Sequence, residues 1–344
     1  MTVSIVTSDA NFIPAEKPGL FERVARHFLQ DKRDVPFLAL SVSASLTVIP
    51  FAVALYWPGV FRWWLAPIYL ALVFGVFVDR FILMLHNTSH RPLFKKKYRI
   101  FANYIPWVLG PFFGESPETY AAHHIGMHHP ENNLKNDLSS TMPYRRDRFG
   151  HFMIYFWRFF LLAVVELSVY FYKRDRFSRM RRMLIGELGF YAFVVALCYV
   201  NWQATLTVFI IPFVAVRFLM MCGNWGQHAF VDREAPENCY RNSITCINTR
   251  YNRRCFNDGY HIGHHVRASM HWTEMPVEFE KNIEIYVKER VFVFEGIDFF
   301  QVWLLLMLKQ YKSLARRIVH IDGNQRSIDE TVELLKTRLV PIPT

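Results

Sequence analysis

Cysteine is scarce in this chain, and what there is does not pair. The five thiols, Cys198, Cys222, Cys239, Cys246 and Cys255, are odd in number and none stands at metal-type spacing from another. That argues against a disulfide framework and fits reduced thiols in a cytoplasm-facing protein. Negative charge is also short, with 29 Asp and Glu against 40 Lys and Arg, for a formal net charge of +11. No internal repeat, low-complexity tract or linker interrupts the sequence, so a single domain is expected over residues 1–344. No small-residue cleavage site marks the first apolar run, which therefore reads as a retained span rather than a signal peptide.

Present in abundance are apolar and basic residues, kept apart from one another. Apolar residues make up 52% of the chain, and 32 are Phe. A hydrocarbon core needs about 20 mostly apolar residues per crossing helix. Four stretches meet that need, at 37–57, 63–85, 183–200 and 204–222, after a polar leader at 1–36. A fifth, at 152–172, carries Arg158 and Glu166 and runs into Lys173, Arg174, Arg176, Arg179, Arg181 and Arg182. Exporting that cluster would violate the positive-inside bias, so this stretch is expected to lie in the interface or against the bundle. The same bias places Lys95, Lys96, Lys97, Arg99, Arg145, Arg146, Arg148, Arg233 and Arg250 in the cytoplasm. The segment 98–114, broken by Pro106, Gly110 and Pro111, should hug the membrane without crossing it. The cytoplasmic parts are then expected at about 86–182 and 223–344, the tail from about residue 275 should cap the domain they form, and Ser327 with Glu330 reads as a capping box.

Histidine is clustered. Ten of the fourteen fall into four groups: His86 and His90; His123, His124, His128 and His129; His228; and His261, His264 and His265. The pairs His86/His90, His124/His128 and His261/His265 are spaced i,i+4, which on a helix points both rings to one side. A single zinc takes three or four protein ligands. Eight histidines in three boxes, with His228 as a ninth, exceed that demand and suit two metal ions in an all-nitrogen sphere; imidazole serves iron, copper, nickel and zinc alike. Asp79, Glu115, Glu118, Glu131, Asp137 and Asp258 stand near the boxes as possible acceptors of imidazole N–H groups, with Asp258, three residues before His261, the leading choice. His123 is a further neighbour of the ligand set. His27, His151, His271 and His320 read as ordinary hydrogen-bonded histidines, and Trp107, Trp225 and Tyr260 as packing residues.

From about residue 86 to 271 the chain resembles the membrane fatty acid desaturase family, whose histidine pattern is shared by membrane alkane hydroxylases and related lipid oxygenases. The residues that carry the resemblance are His86-Asn-Thr-Ser-His90, His124-Ile-Gly-Met-His128-His129 and His261-Ile-Gly-His264-His265. Asn224-Trp-Gly-Gln-His228 is similar to the segment that supplies one more histidine and a water-bridging asparagine in stearoyl-CoA-type members. The resemblance implies two irons that activate dioxygen to remove hydrogen from an acyl C–H bond. It implies as ligands His86, His90, His124, His128, His129, His228, His261, His264 and His265, with Asn224 acting through water. Box two departs from many members, with three residues between His124 and His128 instead of two.

The expected architecture is therefore an all-α integral membrane protein, with four transmembrane helices in two hairpins carrying a cytoplasmic helical di-iron histidine domain. The expected activity is oxygen-dependent desaturation of a fatty acyl chain, presented free, on CoA, on a carrier protein or in a lipid. Hydroxylation and oxidative decarboxylation to a terminal alkene are alternatives at the same site. No cytochrome b5-like motif is present in the sequence, so a separate electron donor of ferredoxin or cytochrome b5 type is expected; membrane lipids are partners and nucleic acid is not. The membrane is a bacterial inner membrane or the endoplasmic reticulum. A membrane zinc lipid hydrolase is more remote, because Asn87 stands where the general-base glutamate of a zincin would be. A bis-histidine haem carrier would place its histidines inside the spans, and a soluble di-iron enzyme would use Glu-x-x-His on a four-helix bundle.

Overall fold

The computed structural model describes residues 5–9 and 12–343; of the leader at 1–36, residues 1–4, 10 and 11 lie outside the described residues. Helix dominates. In chain order the principal elements are α1 (Leu20–Phe28), α2 (Val35–Tyr56), α3 (Leu65–His90), α4 (Thr119–His123), α5 (Phe149–Tyr172), α6 (Phe177–Thr205) and α7 (Ile211–Gln227). Beyond these lie β1 (Thr245–Ile247), α8 (His261–Val266), β2 (Val293–Glu295), α9 (Phe299–Met307) and α10 (Ile328–Thr337). Two compact units emerge, one of residues 12–126 and 167–218, the hairpin unit, and one of 5–9, 127–166 and 219–343, the mixed unit.

Among the described residues, four helical stretches are long and apolar enough to cross a membrane: Lys32–Tyr56, Leu65–His90, Phe149–Tyr172 and Phe177–Gln227. The last is two helices folded at Asn201, whose backbone leaves the helical region at φ −159° and ψ 96°. Its side-chain oxygen accepts the backbone N–H of Ala204 at 3.0 Å and restarts the helix. Facing pairs then match about that point: Phe190 with Phe213, Phe193 with Phe209 and Glu187 with Arg217. The helix begins at Phe177, earlier than the apolar run at 183, so Arg179, Arg181 and Arg182 ride on its first turns instead of in a loop. In the 149–172 helix, Ile154, Trp157, Leu161, Val165 and Val169 form an exposed apolar stripe at helical spacing.

In α2 the polar side chains are satisfied locally: Ser41, Ser45 and Thr47 each donate to the carbonyl four residues back. This is what an apolar surrounding demands of a hydroxyl. Phe51 meets Tyr69 and Ser41 meets Met84, so α2 and α3 run antiparallel. At the two turns Trp63 and Trp202 approach each other, and Trp57 and Trp64 lie exposed, as interfacial aromatics do. The segment 96–113 is a succession of short 3-10 and π turns, broken where its prolines and glycine fall.

In the mixed unit, β1 and β2 pair in parallel, with Thr245 opposite Val293 and Ile247 opposite Glu295. Around them Phe230, Ile244, Phe294, Leu306 and Leu335 form a buried core. The tail is held by two capping boxes, Asp298 with Gln301 and the expected Ser327 with Glu330. Arg146, read from sequence as a topology signal, is instead fully buried and donates to the carbonyls of Ala229, Arg338 and Val340. All five cysteines are free.

Candidate metal centre

Within the mixed unit, His128, His228, His261 and His265 converge so that one ligand atom from each lies within 4.8 Å of every other. His261 and His265 come from one face of α8, their rings 4.5 Å apart, as the i,i+4 spacing predicts. His228 follows the end of α7, and its Nε2 lies 3.3 Å from that of His261. Two imidazoles on a common ion at about 2.1 Å each show N–N separations of roughly 3 Å.

The outward nitrogens are engaged. His128 Nδ1 lies 2.7 Å from Asp137 Oδ2, and both groups are buried. Asp137 is itself fixed by the backbone N–H groups of Asn133 and Ser139 and by the Ser139 hydroxyl. His228 Nδ1 donates to the Asn242 carbonyl at 2.9 Å, which leaves its Nε2 as a bare lone pair facing His261. Burial pushes the His228 imidazolium down to about 4 and that of His265 well below the usual range, so both rings are neutral. Neutral imidazole is the metal-binding form. Nε2 of His265 is buried with no hydrogen-bond partner. A buried polar atom without a partner is costly, and a cation at this point would satisfy it. The donor set therefore fits a metal ion.

Within the hairpin unit, His86 and His90 end α3 and His124 follows α4. The Nε2 atoms of His90 and His124 are 3.0 Å apart, and the ring of His86 is 4.6 Å from that of His124. Tyr120 stacks on His124 at 5.3 Å. His129 and His264, both in the mixed unit, form a further pair with Nε2 atoms 3.0 Å apart.

The spacing at box two does not keep its pair together. His124 joins the histidines of the hairpin unit and His128 those of the mixed unit, and the turn between them, His124–His128, is a π-helix. Gly126 inside that turn admits no side chain, since an added Cβ would stand 2.6 Å from the Arg179 guanidinium and 2.8 Å from the Phe171 ring. His264 likewise pairs with His129. His123 is half-buried and belongs to neither histidine group.

The other sequence candidates fall as follows. Asp258 lies in the turn before α8 and accepts the Tyr251 hydroxyl at 2.7 Å. Asp79 accepts the backbone N–H of Arg80. The Asn224 amide donates to the Ser139 carbonyl and the Tyr155 hydroxyl. His27 meets the Tyr98 hydroxyl and His271 the Thr273 hydroxyl, the ordinary roles expected of them. Asn242 was not foreseen from sequence and Asp137 was not preferred. The segment that holds Asp137 reads as a polar loop, and neither residue shares a helical face with a histidine.

The sequence pattern of the fatty acid desaturase family matches residues 62–296, more than half of the chain and a range that includes the nine expected ligand histidines. No curated protein and no solved structure matches the chain. With the histidine boxes on apolar and short helices, and a matching pattern that runs from the first hairpin to β2, the chain belongs to the fatty acid desaturase family.

Proposed function

We propose that this protein is an oxygen-dependent di-iron desaturase that introduces a double bond into a fatty acyl chain. The observation that carries the reading is the all-imidazole quartet of His128, His228, His261 and His265, buried and oriented by Asp137 and Asn242. Of the nine histidines, these four suffice for one ion, and the five others exceed what that ion needs. When bound, the irons supply the redox capacity for dioxygen that abstraction of an unactivated C–H hydrogen requires, which a general base cannot provide. The chain's own part is to hold neutral imidazoles at fixed angles, with Asp137 keeping the proton of His128 on Nδ1. Asn224 takes a water-mediated place beside the quartet.

The zinc-hydrolase alternative is weakened further by Asn87, whose amide donates to the Leu83 carbonyl at 2.8 Å and has no base to offer. Hydroxylation and oxidative decarboxylation begin with the same hydrogen removal, and product analysis separates them. The reading includes a metal site facing the cytoplasm, a separate electron donor and an acyl substrate drawn from the membrane. The test is mass spectrometry of lipids, free acids and headspace from cells expressing this chain or its His128→Ala form. A new double bond found only with the unaltered chain is expected. A new hydroxyl or terminal alkene would replace desaturation by the corresponding alternative, and no product in cells given iron, oxygen and a working donor system would count against the oxidative reading.

A further inference from the structure

One buried charge pair lies apart from the histidines. Glu187 on α6 and Arg217 on α7 face each other across the hairpin, 0% and 5% exposed, with the guanidinium 3.0 and 3.1 Å from the two carboxylate oxygens. A buried pair of this kind is weak evidence for stability, because desolvation offsets most of its attraction. Its hydrogen bonds point elsewhere. Thr119, the first residue of α4, donates its hydroxyl to Glu187 Oε2 at 2.7 Å, and Ser116 donates to the same oxygen. Arg217 donates to the Ser116 hydroxyl at 2.9 Å, and Tyr191 donates to the other carboxylate oxygen.

The segment that donates these bonds needs them. Helix α4 is five residues long, with no side-chain cap and with Glu118 before it in the left-handed region at φ 67°. A helix this short does not hold its own geometry. Gly186 brings α6 against the loop: an added Cβ would fall 1.9 Å from the Pro117 carbonyl oxygen. At the far end, Arg176 donates to the Gly126 carbonyl at 2.8 Å. The segment bearing His124 is thus gripped by α6 at one end and by the residue just before α6 at the other.

We propose that Glu187, held by Arg217, is a positioning residue for His124, acting through Ser116 and Thr119. The proposal deepens the metal-site reading and rests on it only for its consequence in metal binding. The test uses the full chain in detergent and the double variant Ser116→Ala with Thr119→Val, which leaves the ion pair intact. Hydrogen exchange of peptides covering residues 116–128 should quicken at least tenfold, and ferrous iron bound anaerobically should fall from two per chain toward one. Thr119→Ser, which keeps the hydroxyl, should exchange as the unaltered chain does. Exchange within twofold of the unaltered chain in the double variant would overturn the proposal. Faster exchange in a chain whose unaltered form binds no iron would support the positioning role and overturn the metal reading instead.

Discussion

At Asp137 a carboxylate is spent on one proton. Four groups fix its two oxygens, His128 among them, so the imidazole has one orientation and one tautomer. Replacing Asp137 with Ala should weaken iron binding about 10–100-fold, the usual cost of losing such a partner. Competition against a chelator of known affinity measures this, and unchanged affinity would remove Asp137 from the site. Glu115 shows the opposite environment. Arg217 is committed to Glu187, and Glu115 is left buried with Oε1 unpartnered. Burial, the largest influence, pushes its carboxyl up to about 8. The folded chain therefore holds a proton that the unfolded chain releases above its ordinary value of 4.5. The stability due to that proton is full below 4.5 and is lost as pH rises through 8. Thermal unfolding of the Glu115→Gln form should accordingly show a smaller loss between pH 5 and 8 than the unaltered chain, and equal slopes would refute a neutral Glu115.

At the scale of elements, residues 7–9 are a strap. Asp9 accepts the backbone N–H groups of Asn248 and Thr249, the Asn252 amide and the Tyr260 hydroxyl, one residue before His261. Thr7 binds Glu280 beside it. Asp9→Ala strands these donors and should destabilise the mixed unit by about 1–3 kcal/mol. Limited proteolysis near residue 250 reads the effect, and unchanged cleavage would show the strap to be dispensable. Sequence periodicity disclosed the parts whose partners are local: the i,i+4 pairs of α3 and α8, the long apolar helices and the box at Ser327. It could not disclose Asp9 on Tyr260 or Glu187 on Thr119, since contacts across 251 and 68 residues leave no periodic trace. The π turn at box two escaped for a different reason. The neighbours of its glycine, Arg179 and Phe171, are remote in sequence and leave no room for a side chain, and the spacing alone reads as one more α-helical face.

For the whole molecule, the basic run from Lys173 to Arg182 has two roles. Arg176 and Arg179 pack against Gly126, and Arg182 pairs with Glu118 at 2.8 Å. These contacts are structural, while the topological reading of the same run places it in the cytoplasm. A reporter fused after Lys173 should therefore be cytoplasmic, and an external signal would mean that the helix Phe149–Tyr172 crosses the membrane. The purified chain should carry about two irons, and one zinc with no iron would end the di-iron reading.

The unpaired thiols bear on how such questions can be asked. Cys222, Cys246 and Cys255 are buried and Cys198 and Cys239 half-buried. Burial pushes the Cys239 and Cys246 thiols up, away from the reactive thiolate. The native chain is thus a quiet background for a bulky, membrane-impermeant maleimide. A cysteine placed at an exposed position, such as Lys173, becomes a single addressable handle, and the sidedness of each hairpin turn can be mapped by labelling without first stripping the protein of its own sulfur.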